Sequence, residues 1–218
     1  MAKKTIEEKR EKSIQSILNA AREIFAEKGF AGARVDEIAE RAHVNKAMIY
    51  YRLGDKKELY SQALHDILGD AVERITQAIK NDDSAEDKLK KYIRNLSHAM
   101  KINPFLPRIM MREIASGGYN LPEVVIKDIL RILDVLTGII KEGLENDIFI
   151  KINPFTLHIM IISALVLLKG SSPVRNMYSS LLSKYINPEM ENDSFTAKEI
   201  ENLLLRAVIK DQKNEIFV

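Results

Sequence analysis

The chain has 218 residues, 46% of them hydrophobic, enough to bury one or two cores. It has no cysteine, which excludes disulfides and any thiolate metal site. Its 33 basic and 31 acidic side chains leave a net charge of +2, which argues against a protein that coats nucleic acid by charge alone. Residues 1–60 carry 13 basic and 10 acidic side chains, so only the first quarter leans basic. Lys3, Lys4, Lys9, Arg10 and Lys12 make a basic leader. It either reaches a phosphate or groove or is a solvated arm, and the solvated arm is preferred. The N-terminus is charged with no apolar leader core. The longest apolar run, Ile159–Leu168, is interrupted by Ser163. A cytoplasmic chain without membrane association is therefore expected.

In chain order, every segment reads as helix. The first helix should span Ile6–Lys28, with Ile14, Ile17, Leu18, Ala21, Ile24 and Phe25 as its inner stripe and Gly29 as its stop. Val35–Leu59 reads as a short helix, a tight turn, a second short helix and the start of a third. Val35, Ile38, Ala39 and Ala42 recur on one face. Small Ala39 and Ala42 let a second helix cross closely, and Val44 plugs the corner. Asn45 caps the second helix. Ile49 and Leu53 face inward, so Ala47 and Tyr51 point out, flanked by Lys46, Tyr50 and Arg52. That face suits phosphate contact and groove entry. A basic but merely solvated helical hairpin would have the same spacing. Asp55 caps the next helix, which runs to about Lys80 and whose first-turn N–H groups, with Lys56, suit a DNA phosphate.

Further helices are expected over about 85–101, from the Asn103-Pro104 break to Ser116, and over 122–145. Others should cover 154–169, 174–185 and 197–211. They are separated by Asn81–Ser84, Gly117-Gly118, Gly170–Pro173 and Asn187-Pro188, and Thr196 with Glu199 makes a capping box for the last. No linker is long enough to separate domains.

The segment Gly29-Phe30 followed by Val35–Leu59 resembles the DNA-binding domain of the TetR/AcrR family of bacterial regulators. Ile38, Ala39, Ala42, Val44, Ile49, Tyr50, Leu53, Lys56, Glu58 and Leu59 carry the match, which covers about the first quarter of the chain. Three positions depart from the family pattern. His43 stands where the turn usually has Gly, which strains a left-handed residue there. Arg34 replaces a small hydroxyl residue, and either adds a phosphate contact or is solvated. Leu53 replaces an aromatic plug. The resemblance implies an all-α protein: a three-helix helix-turn-helix DNA-binding domain over 1–54 and a larger helical ligand-binding and dimerisation domain over 55–218. It also implies a homodimer on a double-stranded DNA operator and a small-molecule effector. The DNA-binding residues expected are Arg34, Lys46, Ala47, Tyr50, Tyr51, Arg52 and Lys56.

The 154–169 helix is apolar nearly all round and needs cover on most of its surface. With the last helix it can build a four-helix bundle across a two-fold axis, through Ile161, Leu165, Leu168, Leu203, Leu204 and Ala207. On that assignment Leu204→Arg should separate the subunits. Burial of both helices within one chain is the alternative. Tyr92, Phe105, Met110, Arg112, Glu113 and Tyr119 are polar, aromatic or adaptable positions on apolar helices and are the pocket candidates. Arg112 and Glu113 suit a structural role better than ligand recognition. Abundant Ile, Leu and Met favour an apolar effector.

No P-loop, GxGxxG, HExxH or GxSxG is present. The four histidines are scattered, and His158 reads as a core or interface residue more readily than a ligand contact. Glu142 and Glu145 are an ordinary solvated pair. No catalytic site, cofactor or metal is expected. The reading is therefore a ligand-responsive transcriptional regulator, a repressor for preference. The alternative is a helical small-molecule carrier with a vestigial DNA-binding motif.

Overall fold

The structure, a computed structural model, describes residues 2–185 and 193–210, with side chains for 10–185 and 198–210. Eleven helices lie among the described residues: α1 (Ala2–Gly32), α2 (Val35–Arg41), α3 (Lys46–Leu53), α4 (Lys56–Ala78), α5 (Ala85–Ile102) and α6 (Leu106–Ala115). They are followed by α7 (Glu123–Glu145), α8 (Pro154–Gly170), α9 (Ser172–Met177), α10 (Ser179–Leu182) and α11 (Asp193–Val208). There is no strand among these residues, only a single bridge between Phe149 and Ile209. The all-α expectation holds, with one helix more among the described residues than the ten set out from the sequence. The side chains of Lys3, Lys4, Lys9 and Thr196, and the loop at Asn187-Pro188, lie outside the described residues.

Packing divides the chain into two compact units, Met1–Gly69 with Asn103–Asp128 and Asp70–Ile102 with Ile129–Val218. This line follows packing contacts and differs from the functional division at 54/55 expected from the motif. α6, far along the chain, packs on α1 and so belongs with the helix-turn-helix.

In the first unit, Ile17, Ala21, Ile24 and Phe25 of α1 are fully buried with Ile38, Ile49, Leu59 and Leu64. At full burial such side chains contribute about 1.5–3 kcal/mol each. Gly29 interrupts α1 with φ 70° and ψ 174°, a conformation that favours glycine, and sends Phe30 inward. The Phe30 and Phe25 rings meet Tyr60 at 5.1 and 4.6 Å between centroids. Buried Arg22 ties α1 to α4, donating to Ala63 O at 3.0 Å and pairing with Asp66.

In the second unit, α5, α8 and α11 pack through Leu89, Ile93 and Leu96, Leu157, Ile161 and Leu165, and Leu204, Leu205 and Val208. Ile132, Leu136, Ile139 and Ile140 of α7 are buried too. Asn153 caps α8, accepting from Phe155 N and Thr156 N at 2.9 and 3.2 Å. The end of α11 is held by Ile150 N to Val208 O and Lys210 N to Ile148 O, each 2.8 Å. α8 stops at Gly170 as expected, and α9 starts at Ser172, two residues earlier than the sequence suggests. Pro173 sits in its first turn, where the missing N–H costs nothing.

Candidate functional sites

The helix-turn-helix is built from local bonds. α2 ends on Ala42, and His43 follows with φ 53°. His43 N bonds Glu40 O at 3.1 Å and Val44 N bonds Ala39 O at 3.0 Å. This pair of bonds is the Schellman arrangement, which closes a helix end through one left-handed residue. His43 is thus left-handed without being glycine. Val44 follows half-buried in the corner, and Asn45 Oδ1 accepts from Ala47 N at 2.8 Å to start α3. Ile49 and Leu53 are buried. α3 is thereby fixed at its start by a cap and along its length by two apolar anchors.

The opposite face of α3 is open. Ala47, Tyr50 and Tyr51 are exposed, Tyr51 at 87%. Arg34, at the start of α2, is exposed and makes no side-chain capping bond. Lys46 pairs with Asp36 at 2.8 Å and lies 5.8 Å from the Tyr50 ring centre. That carboxylate holds the ammonium above its ordinary pKa, so Lys46 stays a cation. Two of the expected DNA contacts bond to α1. Arg52 donates to Arg10 O at 3.2 Å. Lys56 donates to Ala31 O at 3.2 Å, with its ammonium 4.7 Å from the Phe30 ring centre. Both fasten the motif to α1.

The start of α4 corrects a second expectation. Asp55 Oδ1 accepts from Lys57 N and Glu58 N at 2.8 and 2.9 Å, while Glu58 Oε2 accepts from Asp55 N at 2.8 Å. This reciprocal capping box takes the Lys57 and Glu58 N–H groups, two of the first-turn donors expected to suit a phosphate. It also closes over Gly54, which has φ 76°. A Cβ built there would come within 1.8 Å of Glu58 Oε2.

The pocket candidates divide between the two units. Phe105, Met110, Arg112, Glu113 and Tyr119 lie in the first unit, and Tyr92 in the second. Tyr119 is 91% exposed. Arg112 Nε and Nη2 donate to Ala26 O and Glu27 O at 2.9 and 2.6 Å, which joins α6 to α1. Tyr60 Oη donates to Glu113 Oε1 at 2.8 Å, joining α6 to α4. Burial, and then Glu113, push the Tyr60 phenol far above its ordinary pKa, so it remains a donor. The structural roles are the ones present. Tyr92 is fully buried, with its Oη 2.7 Å from His158 Nδ1. Burial lowers the pKa of His158 and raises that of Tyr92, so both are neutral at pH 7. The lone histidine was legible, but its partner 66 positions away was not.

The subunit-contact candidates divide by burial. Ile161, Leu165 and Leu204 are buried within the chain, and Leu168 is half-buried. Leu203 and Ala207 are exposed, and on α8 the open side carries Phe155, Ile159, Met160 and Leu167. No group of three or more metal-binding side chains and no helix able to cross a membrane occurs among the described residues.

Residues 17–63 match the family model of bacterial regulatory proteins, tetR family. Over 141 residues the chain is 26% identical to the Bacillus subtilis fatty acid metabolism regulator protein, covering 65% of this chain and 72% of that one. Over 147 residues it is 29% identical to the HTH-type transcriptional regulator RutR of Escherichia coli K12, covering 67% and 69%. The fold is similar to that of the regulator FadR from Bacillus subtilis in complex with stearoyl-CoA. The TM-score is 0.66 at 21% identity, over 88% of this chain and 97% of that one. Residues 17–63 are thus a helix-turn-helix that matches the tetR family model, on a helical fold similar to that of the regulator FadR.

Proposed function

We propose that the chain is a repressor that binds a palindromic operator as a homodimer and is released by a small hydrophobic ligand. The observation that carries this reading is the outward face of α3. It offers Ala47, Tyr50 and Tyr51 to solvent while Ile49 and Leu53 anchor the opposite side. A small residue beside two tyrosines lets the helix approach base edges closely, with the phenols in reach of bases or phosphates. Arg34 and Lys46 take phosphates on either side. Arg52 and Lys56 contribute charge near the backbone while they hold the motif to α1. Residues 1–54 then read DNA, and 55–218 carry ligand binding and pairing of subunits. One α3 reads few base pairs, and two copies about a two-fold axis read a palindrome. A regulator that meets the chromosome directly works in the cytoplasm.

Release follows by linkage: a ligand favouring another spacing of the two α3 helices draws the population away from DNA. α6 is the element that passes the change on. Arg112 grips the end of α1 and Glu113 grips Tyr60 of α4, so a shift of α6 moves both supports of the helix-turn-helix. The first effector to test is stearoyl-CoA, the compound held by the Bacillus subtilis FadR structure. The test of the whole reading is selection of bound sequences from random duplexes at physiological salt. A recovered palindrome that stearoyl-CoA or another apolar ligand releases supports it. A folded protein that binds an apolar ligand and selects no sequence, with or without that ligand, is the carrier instead.

A further inference from the structure

We propose that the buried Tyr92–His158 pair is the recognition point for an uncharged acceptor, a carbonyl oxygen, on an otherwise apolar effector. The proposal rests on the ligand-responsive reading above and names the chemical group which that reading leaves open. Both side chains lie in the second unit, Tyr92 on α5 and His158 on α8. Leu89 and Leu96 lie one turn either side of Tyr92, and Ile161 one turn beyond His158, all of them buried. A polar pair in such surroundings is costly unless its donors and acceptors are used. This pair leaves one group unused. Oη and Nδ1 meet at 2.7 Å, but Nε2 of His158, a side chain only 6% exposed, has no partner among the described residues. Nor is it sealed. The sealed orphans among the described residues are Glu37 Oε2 and Glu113 Oε2, so Nε2 is within reach of solvent.

Burial decides what Nε2 offers. Tyr92 is fully buried, and Nδ1 is the acceptor within reach of its O–H. A proton on Nδ1 would turn that bond round and leave the phenol hydrogen unbonded in an apolar core. The phenol therefore donates to Nδ1, and the ring hydrogen sits on Nε2. The same bond selects the charge of the partner. A carboxylate is met best by an imidazolium, which needs the proton on Nδ1 that the phenol excludes. Burial acts in the same direction and holds the pKa of His158 below its ordinary value. An ester, thioester or amide oxygen accepts from Nε2–H without bringing a charge into the core.

The experiment is calorimetric titration of the full chain with two matched pairs of probes. Methyl decanoate is set against decyl methyl ether. Stearoyl-CoA is set against S-octadecyl-CoA, which has a methylene in place of the thioester carbonyl. The wild type is expected to bind the carbonyl member about tenfold more tightly, the effect of one sheltered hydrogen bond. The preference should vanish when Tyr92→Phe and His158→Phe are combined. Replacing both partners together leaves no orphaned group, so this double variant should fold, with circular dichroism as the control. Equal affinity within every pair that binds the wild type overturns the proposal and leaves the ligand reading standing. Failure of all four probes to bind overturns both.

Nitrogen NMR of histidine-labelled protein reads the tautomer directly. At neutral pH His158 should show a protonated Nε2 and a bare Nδ1, and the Nε2 signal should move with methyl decanoate and not with the ether. A bare Nε2 overturns the proposal. Free decanoate separates recognition from a purely structural role. It should bind the wild type more weakly than its methyl ester does. Tyr92→Phe, which frees Nδ1 to take a proton, should narrow or reverse that order. Decanoate preferred by the wild type, or an order unchanged in Tyr92→Phe, counts against the pair as the selector of an uncharged group.

Discussion

Replacing Arg112 by Met tests whether α6 is mechanically joined to the DNA-reading motif. The substitution keeps most of the side chain's length and removes two charge-assisted hydrogen bonds, to Ala26 O at 2.9 Å and Glu27 O at 2.6 Å. Hydrogen bonds to charged groups are worth about 1.5–3 kcal/mol when sheltered. The bond to Ala26 is partly buried and keeps most of that value. The bond to Glu27 is exposed, and water replaces much of it. A loss of about 2 kcal/mol is expected, or roughly 4–8 °C in melting temperature for a chain of this size. Urea denaturation gives the free energy and a thermal melt gives the shift. Arg112→Lys should recover part of the loss, because an ammonium cannot reproduce the fork of two parallel donors. In an operator-release titration, Arg112→Met should bind DNA and ligand but couple them weakly. A variant that melts with the wild type and releases DNA at the same ligand concentration would refute the argument.

His43→Gly should stabilise the protein by about 0.5 kcal/mol, because relief of the left-handed strain at φ 53° exceeds the added freedom of glycine in the unfolded chain. A lower melting temperature would count against it. Leu204→Arg should unfold the second unit rather than separate folded subunits, since Leu204 is buried; retained helix content in a monomer would contradict this. Arg34→Gln should weaken operator binding across all sequences and reduce the salt slope by about one unit, as loss of one phosphate contact requires. An unchanged slope would make Arg34 a solvated side chain. Stability should also fall as pH drops from 7 towards 5. His158 has its pKa lowered from 6.5 by burial, so the unfolded chain takes up this proton first, and the stability of the neutral form is lost as pH falls below 6.5. A His158→Gln variant should show a shallower dependence between pH 7 and 5, and an identical slope would remove His158 as the cause.

What could be read from the sequence was local. Asn45 as a cap, Ile49 and Leu53 as anchors, Gly29 as a break and Asp55 as the start of α4 each depend on residues within about one turn of themselves, and each stands in the structure. The strained position of His43 was legible for the same reason. Side chains that cross between elements were not. Arg52 and Lys56 sit among basic residues near the motif, yet their donors go to α1 carbonyls. Arg112 and Glu113 bond to different helices, 86 and 53 positions distant, which no spacing rule can reveal. Rotation was the other missing quantity. Leu203 and Leu204 are equally apolar, but one step along a helix turns a side chain by about 100°. Only the packing of α11 on α5 and α8 decides that Leu204 goes inside and Leu203 stays open. Pro173 was ambiguous because it ends one helix as readily as it begins another.

The two ends of α3 are secured by groups outside the reading face, Asn45 before it and the closed Gly54–Glu58 turn after it. The segment between them therefore behaves as a cassette. Positions 46, 47, 50 and 51 can be exchanged while Ile49, Arg52, Leu53 and both clamps are kept, and the replacement inherits the same pose against a groove. Gly54 marks the limit of such recoding, since its φ of 76° strains any side chain and a Cβ there displaces the Glu58 carboxylate that closes the turn. Libraries that vary these four positions and hold the frame constant would turn this protein into a source of regulators with new operators.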